Sequence, residues 1–424
     1  MAKLLRFESG LKACYERRKG AGSCAIGVFV GAGSRNENKD NNGVAHFIEH
    51  MLFKGTERRT AFDIANATDC LGASANAYTS KTNTVFYVSG LAEYLPEYMD
   101  VMSDMLFHST FTEENMEKER GVILEEIKMY DDDGESVCSD LLSLKGFDKI
   151  GFARPILGTE TSVKAITADK IRAFMAEQYV ASNMILSYCG PMEQSEFYAL
   201  AEKYFDKEFL LKGKTAYRAK REKTHVKPVY ATDFSKPFEQ ANVIIRLPSH
   251  PYEDKRSDAA TTMARILGEG MSSRLFQKIR EEKGLVYEIY ATGRSVRGLG
   301  YIDIGFATTP ELTEEAIQGI CEVVEEVKKN GFTQEEFDKV IKTRETSSVL
   351  VSETTFDEMR TMGKYYGLTG KLFSPKKYLD EIKKQTLDEV NAETALLDFE
   401  KAAVCYVGKE KKTDLRSLLI NGGK

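Results

Sequence analysis

The sequence predicts an α+β protein in which one fold unit occurs twice, and three observations carry this prediction. The chain has 424 residues, which is more than one hydrophobic core usually holds. A succession of strand-like and helix-like segments begins again after the basic, non-periodic stretch 206–237. Parts of the first half also recur, with weak identity, in the second half.

The first half alternates between segments that favour strands and segments with helical period. Alternating apolar residues that end in Gly and Ser predict a strand within 23–35, and spaced apolar residues predict a helix from Val44. The other predicted elements are a β-rich stretch at 72–91, two helices within 95–133 that are broken near Thr110–Thr112, and a buried strand within 183–192.

The second half repeats this order of elements. Its predicted elements are a strand at 241–249, helices at 256–268 and 272–283, a β-rich stretch at 284–306, helices at 311–330 and 333–349, and a late strand at 401–408.

One pair of segments makes the duplication visible. "FTEENMEKERGVILEEI" begins at Phe111 and "FTQEEFDKVIKTRETSS" begins at Phe332, an offset of 332 − 111 = 221 residues. A period of this size indicates duplicated domains rather than a solenoid. We therefore predict an N-terminal domain at 1–212, a linker at 213–235 and a C-terminal domain of the same fold at 236–424.

Composition excludes several classes of function. A net charge of −6 and a pI near 5.7 argue against a nucleic-acid partner, which a basic surface would favour. The sequence contains no run of about 18 apolar residues, so we expect no membrane-spanning helix. The first residues lack an apolar core of signal-peptide length, so we expect a cytoplasmic protein. The seven cysteines are scattered without a CxxC pair, which predicts buried reduced thiols.

The stretch "VAHFIEHMLFKGT" carries the strongest chemical signal. His46 and His50 are four residues apart, so on a helix both imidazoles point from one face and can bind one metal ion. Glu49 lies beside them, where a general base for a metal-activated water belongs. H-x-x-E-H is the inverzincin signature. The alternative is two core histidines on an apolar helix, but burying these groups without a partner is costly.

A catalytic zinc ion needs a third protein ligand, and the acidic helix at 113–133 offers candidates. Glu119 and Glu126 are seven residues apart and therefore share a face. Glu126 lies within the apolar-flanked part "ILEEIKM", whereas its neighbour Glu125 fits a solvent-exposed position. The residues alone favour Glu126 over Glu125 only modestly. Glu119 suits a role in orienting a ligand or the water.

"NGVAHFIEHMLFKGT" together with "KERGVILEEIKM" resembles the pitrilysin–insulinase family of zinc metallopeptidases, in the branch of the mitochondrial processing peptidase and its bacterial relatives. That family has a glutamate 76 residues after the second histidine, and here 126 − 50 = 76. The resemblance therefore implies that His46, His50 and Glu126 bind Zn²⁺. It also implies that Glu49 is the base and that Glu119 is the additional acidic residue.

The resemblance extends to segments 31–43, 75–87 and 272–291, and so covers nearly the whole chain. It implies that each half is an α/β sandwich with a mixed sheet and helices on one face. Four such domains close like a clam shell in the family, so this chain is one half-shell. A homodimer is the simplest assembly, and a heterodimer is the alternative.

The same resemblance assigns substrate-binding residues. Asn76 and Ala77 match the segment that holds an extended substrate backbone beside an edge strand. Arg280 and Tyr287 match an Arg–Tyr pair that binds the scissile carbonyl region, and in a dimer they would come from the partner subunit. Without the resemblance, Arg280 fits a surface charge and Tyr287 a half-buried strand residue.

The sequence thus predicts a zinc-dependent metalloendopeptidase that hydrolyses short or unfolded peptides, with no nucleic-acid or membrane partner. The alternative is a non-catalytic peptide-binding or assembly subunit of the same fold. Such subunits typically have a broken HxxEH motif, whereas the motif is intact here.

Overall fold

The computed structural model describes residues 2–213, 217 and 222–422, and these residues form two compact units. Each unit is discontinuous in sequence. The first unit is drawn from Met1–Ile127, Pro155–Lys220 and Ser347–Leu379, and the second from Lys128–Arg154, Arg221–Thr346 and Asp380–Lys424.

Two mixed sheets organise these units. Their strands in chain order are β1 (Lys3–Arg6), β2 (Lys12–Arg17), β3 (Ser23–Val30), β4 (Ser74–Thr79), β5 (Thr84–Leu91), β6 (Met184–Gly190), β7 (Val229–Asp233), β8 (Ala241–Pro248), β9 (Glu288–Val296), β10 (Leu299–Thr308) and β11 (Ala403–Val407).

Helices make up most of the remaining described residues. The α-helices are α1 (Val44–Met51), α2 (Ala61–Asp69), α3 (Leu95–His108), α4 (Glu113–Asp131), α5 (Gly134–Gly146), α6 (Ile150–Ala153), α7 (Glu160–Lys164), α8 (Ala168–Gln178), α9 (Gln194–Ala201), α10 (Lys207–Lys212), α11 (Ser257–Gly268), α12 (Thr313–Asn330), α13 (Gln334–Leu350), α14 (Thr355–Thr369), α15 (Pro375–Lys384), α16 (Leu387–Ala392) and α17 (Leu415–Gly422). Glu202–Asp206 and Phe276–Glu282 are π-helical, and short 3₁₀ turns occupy Ser34–Asn36, Ala92–Tyr94, Ala181–Asn183, Pro310–Leu312, Glu393–Leu396 and Phe399–Lys401.

The two sheets share one topology. The first has the strand order β1-β2-β6-β3-β5-β4 and the second has the order β7-β11-β8-β10-β9. In each sheet one parallel pair, β2 with β6 or β7 with β11, is followed by antiparallel neighbours. The first sheet adds only β1 at its far edge. This correspondence confirms the predicted duplication of one α/β fold.

Both faces of each sheet are buried, which explains the nearly continuous burial of β3. In the first unit, one face packs on α1, α3, α8 and α9, and α14 covers the other through Met359 and Met362. In the second unit, α11, α12 and α17 pack on one face, and α5 covers the other through Cys138 and Leu142. The prediction placed helices on one face only, and the structure adds one helix to each opposite face.

These two covering helices account for the discontinuous units. Helix α5 lies within the predicted domain 1–212 but belongs to the second unit, and α14 lies within 236–424 but belongs to the first. Of the predicted linker 213–235, residues 214–216 and 218–221 lie outside the described residues. Its last part forms β7, which pairs in parallel with the distant strand β11.

The other predicted elements have counterparts in the structure, including the break between α3 and α4 after His108. The predicted helix within 272–283 is mainly the π-helix Phe276–Glu282. None of the helices in the described ranges combines the length and the apolar character that crossing a bilayer requires.

Helix α14 approaches the first sheet so closely that it needs a glycine at the contact. A Cβ on Gly363 would lie 2.3 Å from Cε2 of Phe29, whose ring is itself buried. Gly367, one turn further along the same helix, has open space around it. Close packing therefore explains the first glycine but not the second.

We expect alanine to change stability in opposite directions at these two glycines. Gly367→Ala should raise the free energy of unfolding by up to about 1 kcal/mol, since alanine is the better helix former. Gly363→Ala gains the same propensity, but overpacking against Phe29 costs about 1–3 kcal/mol, which outweighs it. Urea unfolding of both variants checks this. Equal shifts of the same sign would show that α14 can move away from the sheet.

Candidate functional site

Helix α1 begins at a glycine that leaves no room for a side chain. Gly43 has a φ of 93°, and a Cβ there would lie 2.6 Å from the carbonyl oxygen of Leu157. The buried carboxylate of Glu37 accepts hydrogen bonds from Nδ2 of Asn42 at 2.7 Å and from the backbone N–H groups of Gly43 at 2.8 Å and Ala45 at 2.9 Å. A carboxylate at a helix N-terminus is favoured by the helix dipole, so Glu37 fixes where α1 starts.

The two faces of α1 differ in chemistry. Its apolar residues, including Phe47 and Ile48, are fully buried in the core of the first unit. The helix contacts β4, β5 and α8. His46 and His50 share another face, with their ring centroids 4.6 Å apart. His46 is 7% exposed and His50 is half-buried, so the pair lies at the boundary between core and solvent.

Helix α4 brings Glu126 to this pair of histidines. Its Oε2 lies 3.6 Å from Nε2 of His46 and 3.6 Å from Nε2 of His50. Burial raises the pKa of the Glu126 carboxyl, and the nearby His50 opposes that rise. Burial, with a smaller contribution from His50, lowers the pKa of His46 to about 3, which leaves its imidazole neutral. Glu125, the alternative considered from the sequence, is exposed.

Glu119 lies on α4, seven residues before Glu126. It contacts the ring nitrogen of His50 that does not face Glu126. Its Oε2 lies 3.1 Å from Nδ1 of His50, and its Oε1 lies 2.9 Å from Nζ of Lys54. Glu119 is buried, and the lysine supplies a compensating positive charge. A carboxylate on the outer ring nitrogen fixes the tautomer and the orientation of an imidazole. Nδ1 of His46 is buried and has no such partner among the described residues.

Glu49 points toward strand β4. Its Oε2 accepts a hydrogen bond of 2.5 Å from Oγ1 of Thr79 at the end of that strand. Burial raises the pKa of the Glu49 carboxyl, the Thr79 hydrogen bond and His50 lower it, and Glu126 raises it. Glu49 is thus next to His50 in the helix, but its carboxylate is directed toward Thr79, whereas that of Glu126 lies near both imidazoles.

The donor set fits a zinc ion. The ligand atoms of His46, His50 and Glu126 all lie within 4.8 Å of one another, and within the described ranges these residues are the one group that could hold a metal ion. Neighbouring donors of a tetrahedral site with bonds of about 2.0–2.2 Å are about 3.3 Å apart, close to the two 3.6 Å separations observed. Two imidazoles and one carboxylate are ligands that Zn²⁺ binds in catalytic sites.

Asn76 and Ala77 lie on β4, which is an edge strand of the first sheet. Asn76 is exposed, and its Oδ1 accepts a hydrogen bond of 2.7 Å from the backbone N–H of Ala77. One side of β4 pairs with β5, which leaves the other side for an added strand. Helix α1 packs on this same strand, so β4 lies next to the helix that carries the histidines.

Arg280 and Tyr287 belong to the second unit, whereas the residues named above belong to the first. The structure brings this pair together, with the Arg280 guanidinium 5.7 Å from the Tyr287 ring centroid and 4.7 Å from that of Phe276. Tyr287 is 72% exposed. Both residues line a cavity of about 770 Å³ within the second unit.

Three residues of the site were not predicted from the sequence. Glu37, Lys54 and Thr79 each hold a predicted site residue or the helix that carries it. Lys54 lies within the stretch "VAHFIEHMLFKGT", and Thr79 lies within segment 75–87. A polar residue next to a chemical motif is the signal that could have identified these two.

Two family models match most of the chain. The family model described as "Insulinase (Peptidase family M16)" matches residues 12–160, which include both histidines and Glu126. The model described as "Peptidase M16 inactive domain" matches residues 165–344.

Curated relatives cover most of the chain. The chain is 33% identical to "Uncharacterized zinc protease YmxG" of Bacillus subtilis, over 92% of this chain and 94% of that one. It is also 33% identical to an uncharacterized zinc protease of Streptomyces coelicolor, over 90% and 84% of the two chains.

Solved structures share the fold at low identity. A peptidase M16 inactive domain from Pseudomonas fluorescens superposes with a TM-score of 0.88 at 20% identity, covering 97% of this chain and 98% of that chain. A protease from Helicobacter pylori gives 0.88 at 18% identity, covering 96% and 99%. Given the matched family models and the relatives at 33% identity, this chain belongs to the M16, or insulinase, family of peptidases.

Proposed function

We propose that the protein is a zinc-dependent metalloendopeptidase that hydrolyses short or unfolded peptides. The convergence of His46, His50 and Glu126, with Glu49 beside them, is the observation that carries this proposal. Relatives named zinc proteases at 33% identity support both the metal and the reaction class.

In this proposal His46, His50 and Glu126 hold Zn²⁺. Bound zinc supplies a Lewis acid that activates water and polarises the carbonyl of the scissile peptide bond. Glu49 accepts a proton from the attacking water and later delivers it to the leaving amine. Glu119, held by Lys54, keeps the His50 ring in its ligating orientation.

The open edge of β4 is the proposed binding place for the substrate backbone. A peptide that adds as an extended strand along Asn76 and Ala77 is held largely by main-chain hydrogen bonds, which tolerate many sequences. Only an extended segment can pair in this way, which supports short or unfolded substrates rather than folded proteins.

We further propose that the active enzyme is a homodimer in which Arg280 and Tyr287 act on the substrate bound by the partner subunit. The exposed Tyr287 and the adjacent guanidinium offer an O–H and N–H groups that can stabilise a developing oxyanion. An ultracentrifugation experiment that finds an active monomer would contradict this assembly.

Removal and return of the metal tests the proposed function. The purified protein should hold about one zinc per chain and cleave quenched-fluorescent peptides of varied sequence. A chelator should abolish cleavage, because the activated water is lost, and Zn²⁺ should restore it, whereas Mg²⁺, which prefers oxygen ligands, should not.

A circular dichroism spectrum of the metal-free protein provides the control, since it must remain folded for the loss of activity to be attributed to the metal. If the zinc-loaded dimer cleaves no member of the peptide set, the proposed activity is wrong and the chain is a binding subunit of this fold.

A further inference from the structure

The side chain that contacts Glu49 belongs to the strand that we propose as the substrate-binding edge. Thr79 is the last residue of β4, three positions after Asn76, and its hydroxyl donates to Oε2 of Glu49 at 2.5 Å. Among the described residues this is the hydrogen bond that the Glu49 side chain accepts. The proposed base on α1 and the proposed docking strand are therefore joined directly.

The proton of the Thr79 hydroxyl has one strong acceptor. Its other oxygen neighbour is Oγ1 of Thr84 on β5, at the longer distance of 3.4 Å. The hydroxyl of Thr84 is itself committed, because it donates to the carbonyl oxygen of Ala32 at 3.0 Å. A hydroxyl has one proton to donate, and Thr79 donates it to the nearer acceptor, the Glu49 carboxylate. Thr84 is buried and pairs with Thr79 across the two strands, which holds Thr79 in place.

This hydrogen bond makes the two carboxylate oxygens of Glu49 inequivalent. Oε2 accepts the proton of the Thr79 hydroxyl, which leaves Oε1 as the oxygen with both lone pairs open to the attacking water. A glutamate has three side-chain torsions, and displacing a catalytic group by about 1 Å can cost about 100-fold in rate. A short hydrogen bond from a strand residue is a direct way to restrict those torsions.

We propose that Thr79 is a positioning residue for Glu49, so that the strand that binds the peptide also sets the direction of the base. This inference rests on the proposed peptidase function. It gives Thr79 a role distinct from that of Asn76 and Ala77, which lie on the same strand. The alternative is that Thr79 only satisfies a half-buried carboxylate and contributes to stability alone.

Three variants separate these roles. Thr79→Val keeps the shape of the side chain but removes the hydroxyl, Thr79→Ser keeps the hydroxyl, and Thr82→Val in the following turn is the matched control. We expect Thr79→Val to lower kcat about 10–100-fold with KM changed less than twofold, because strand docking uses the backbone. Thr79→Ser should recover most of kcat, and Thr82→Val should match the wild type. Zinc content should remain at one ion per chain in all three.

Two further measurements address Glu49 itself. In a Glu49→Gln background, Thr79→Val should cause no additional loss of kcat, because the group that it positions has already been disabled. Crystal structures of the zinc-bound wild type and of zinc-bound Thr79→Val allow the direction of the Glu49 side chain to be compared. In the variant the Glu49 carboxylate should be turned away from its wild-type direction. This structural comparison needs no substrate.

The inference is overturned if Thr79→Val retains wild-type kcat, if Thr79→Ser falls as far as Thr79→Val, or if the two substitutions are additive. It is also overturned if the Glu49 carboxylate keeps its direction in Thr79→Val. Should the zinc-loaded wild type cleave no peptide, the proposed function fails on its own, and the two crystal structures still decide whether Thr79 positions Glu49.

Discussion

Replacing Glu49 with Gln should lower kcat for peptide cleavage by about 10²–10⁴-fold while the protein keeps its zinc. The amide has nearly the shape of the carboxylate and its oxygen can still accept the Thr79 hydrogen bond, but it cannot accept the proton of the attacking water. Because Glu49 lies outside the group of donor atoms formed by His46, His50 and Glu126, metal content should not change. Steady-state kinetics with a quenched-fluorescent peptide and metal analysis of the same sample check both parts.

Glu57→Gln is the control, because Glu57 is an exposed glutamate that follows α1 in the chain. This variant should retain full activity. Peptide should bind to Glu49→Gln about as tightly as to the wild type, since backbone pairing at β4 is untouched. A Glu49→Gln protein with more than a tenth of wild-type kcat would show that another group takes the proton. Loss of zinc in this variant would instead place Glu49 among the ligands.

The sequence predicted the parts of the site that are close together in the chain. His46, Glu49 and His50 lie within two turns of one helix, so their spacing alone defines a shared face. Glu126 lies on a different helix, and no local pattern connects it to α1. Its choice over Glu125 came from the resemblance, and the structure places Glu126 beside both histidines while Glu125 is exposed.

The residues that hold the site were harder to predict because each acts across the fold. Thr79 reaches Glu49 from another element, and Lys54 reaches Glu119 from the loop after α1. Such contacts depend on which helix packs on which strand, and hydrophobic periodicity does not contain that information. Glu37 is close in sequence to α1, but its role depends on the left-handed backbone conformation of Gly43, which the pattern alone did not indicate.

The same limit applies to the fold. Alternating apolar residues predicted the strands, and apolar residues at helical spacing predicted the helices. The repeated order of these elements predicted the duplication. Periodicity did not predict that α5 covers the second sheet or that α14 covers the first, because an apolar helix face does not specify its partner. Strand β7 lies in the stretch that its basic, non-periodic composition predicts to be a linker. The strand is short, and its pairing partner, β11, lies far away in the sequence.

Alanine variants of the adjacent residues Glu126 and Glu125 should differ strongly in zinc binding. Glu126→Ala removes one of three proposed ligands and should weaken zinc binding by at least about 100-fold, because even loss of a residue that only orients a ligand costs about 10–100-fold. Cleavage at limiting zinc should then fall to background. Glu125→Ala changes the adjacent, exposed residue of the same helix and should leave zinc binding and cleavage unchanged. Competition with a zinc-sensitive dye measures both affinities.

Thermal unfolding gives this comparison a readout that does not depend on catalysis. A ligand that binds only the folded state stabilises it in proportion to the logarithm of its concentration over Kd. Added zinc should therefore raise the Tm of the wild type and of Glu125→Ala, and should raise that of Glu126→Ala much less. Without metal, Glu126→Ala should be no less stable than the wild type, since burial without a cation disfavours the Glu126 carboxylate and raises its pKa. If both alanine variants bind zinc as the wild type does, neither Glu125 nor Glu126 is the third ligand, and the group formed by His46, His50 and Glu126 is not the metal site.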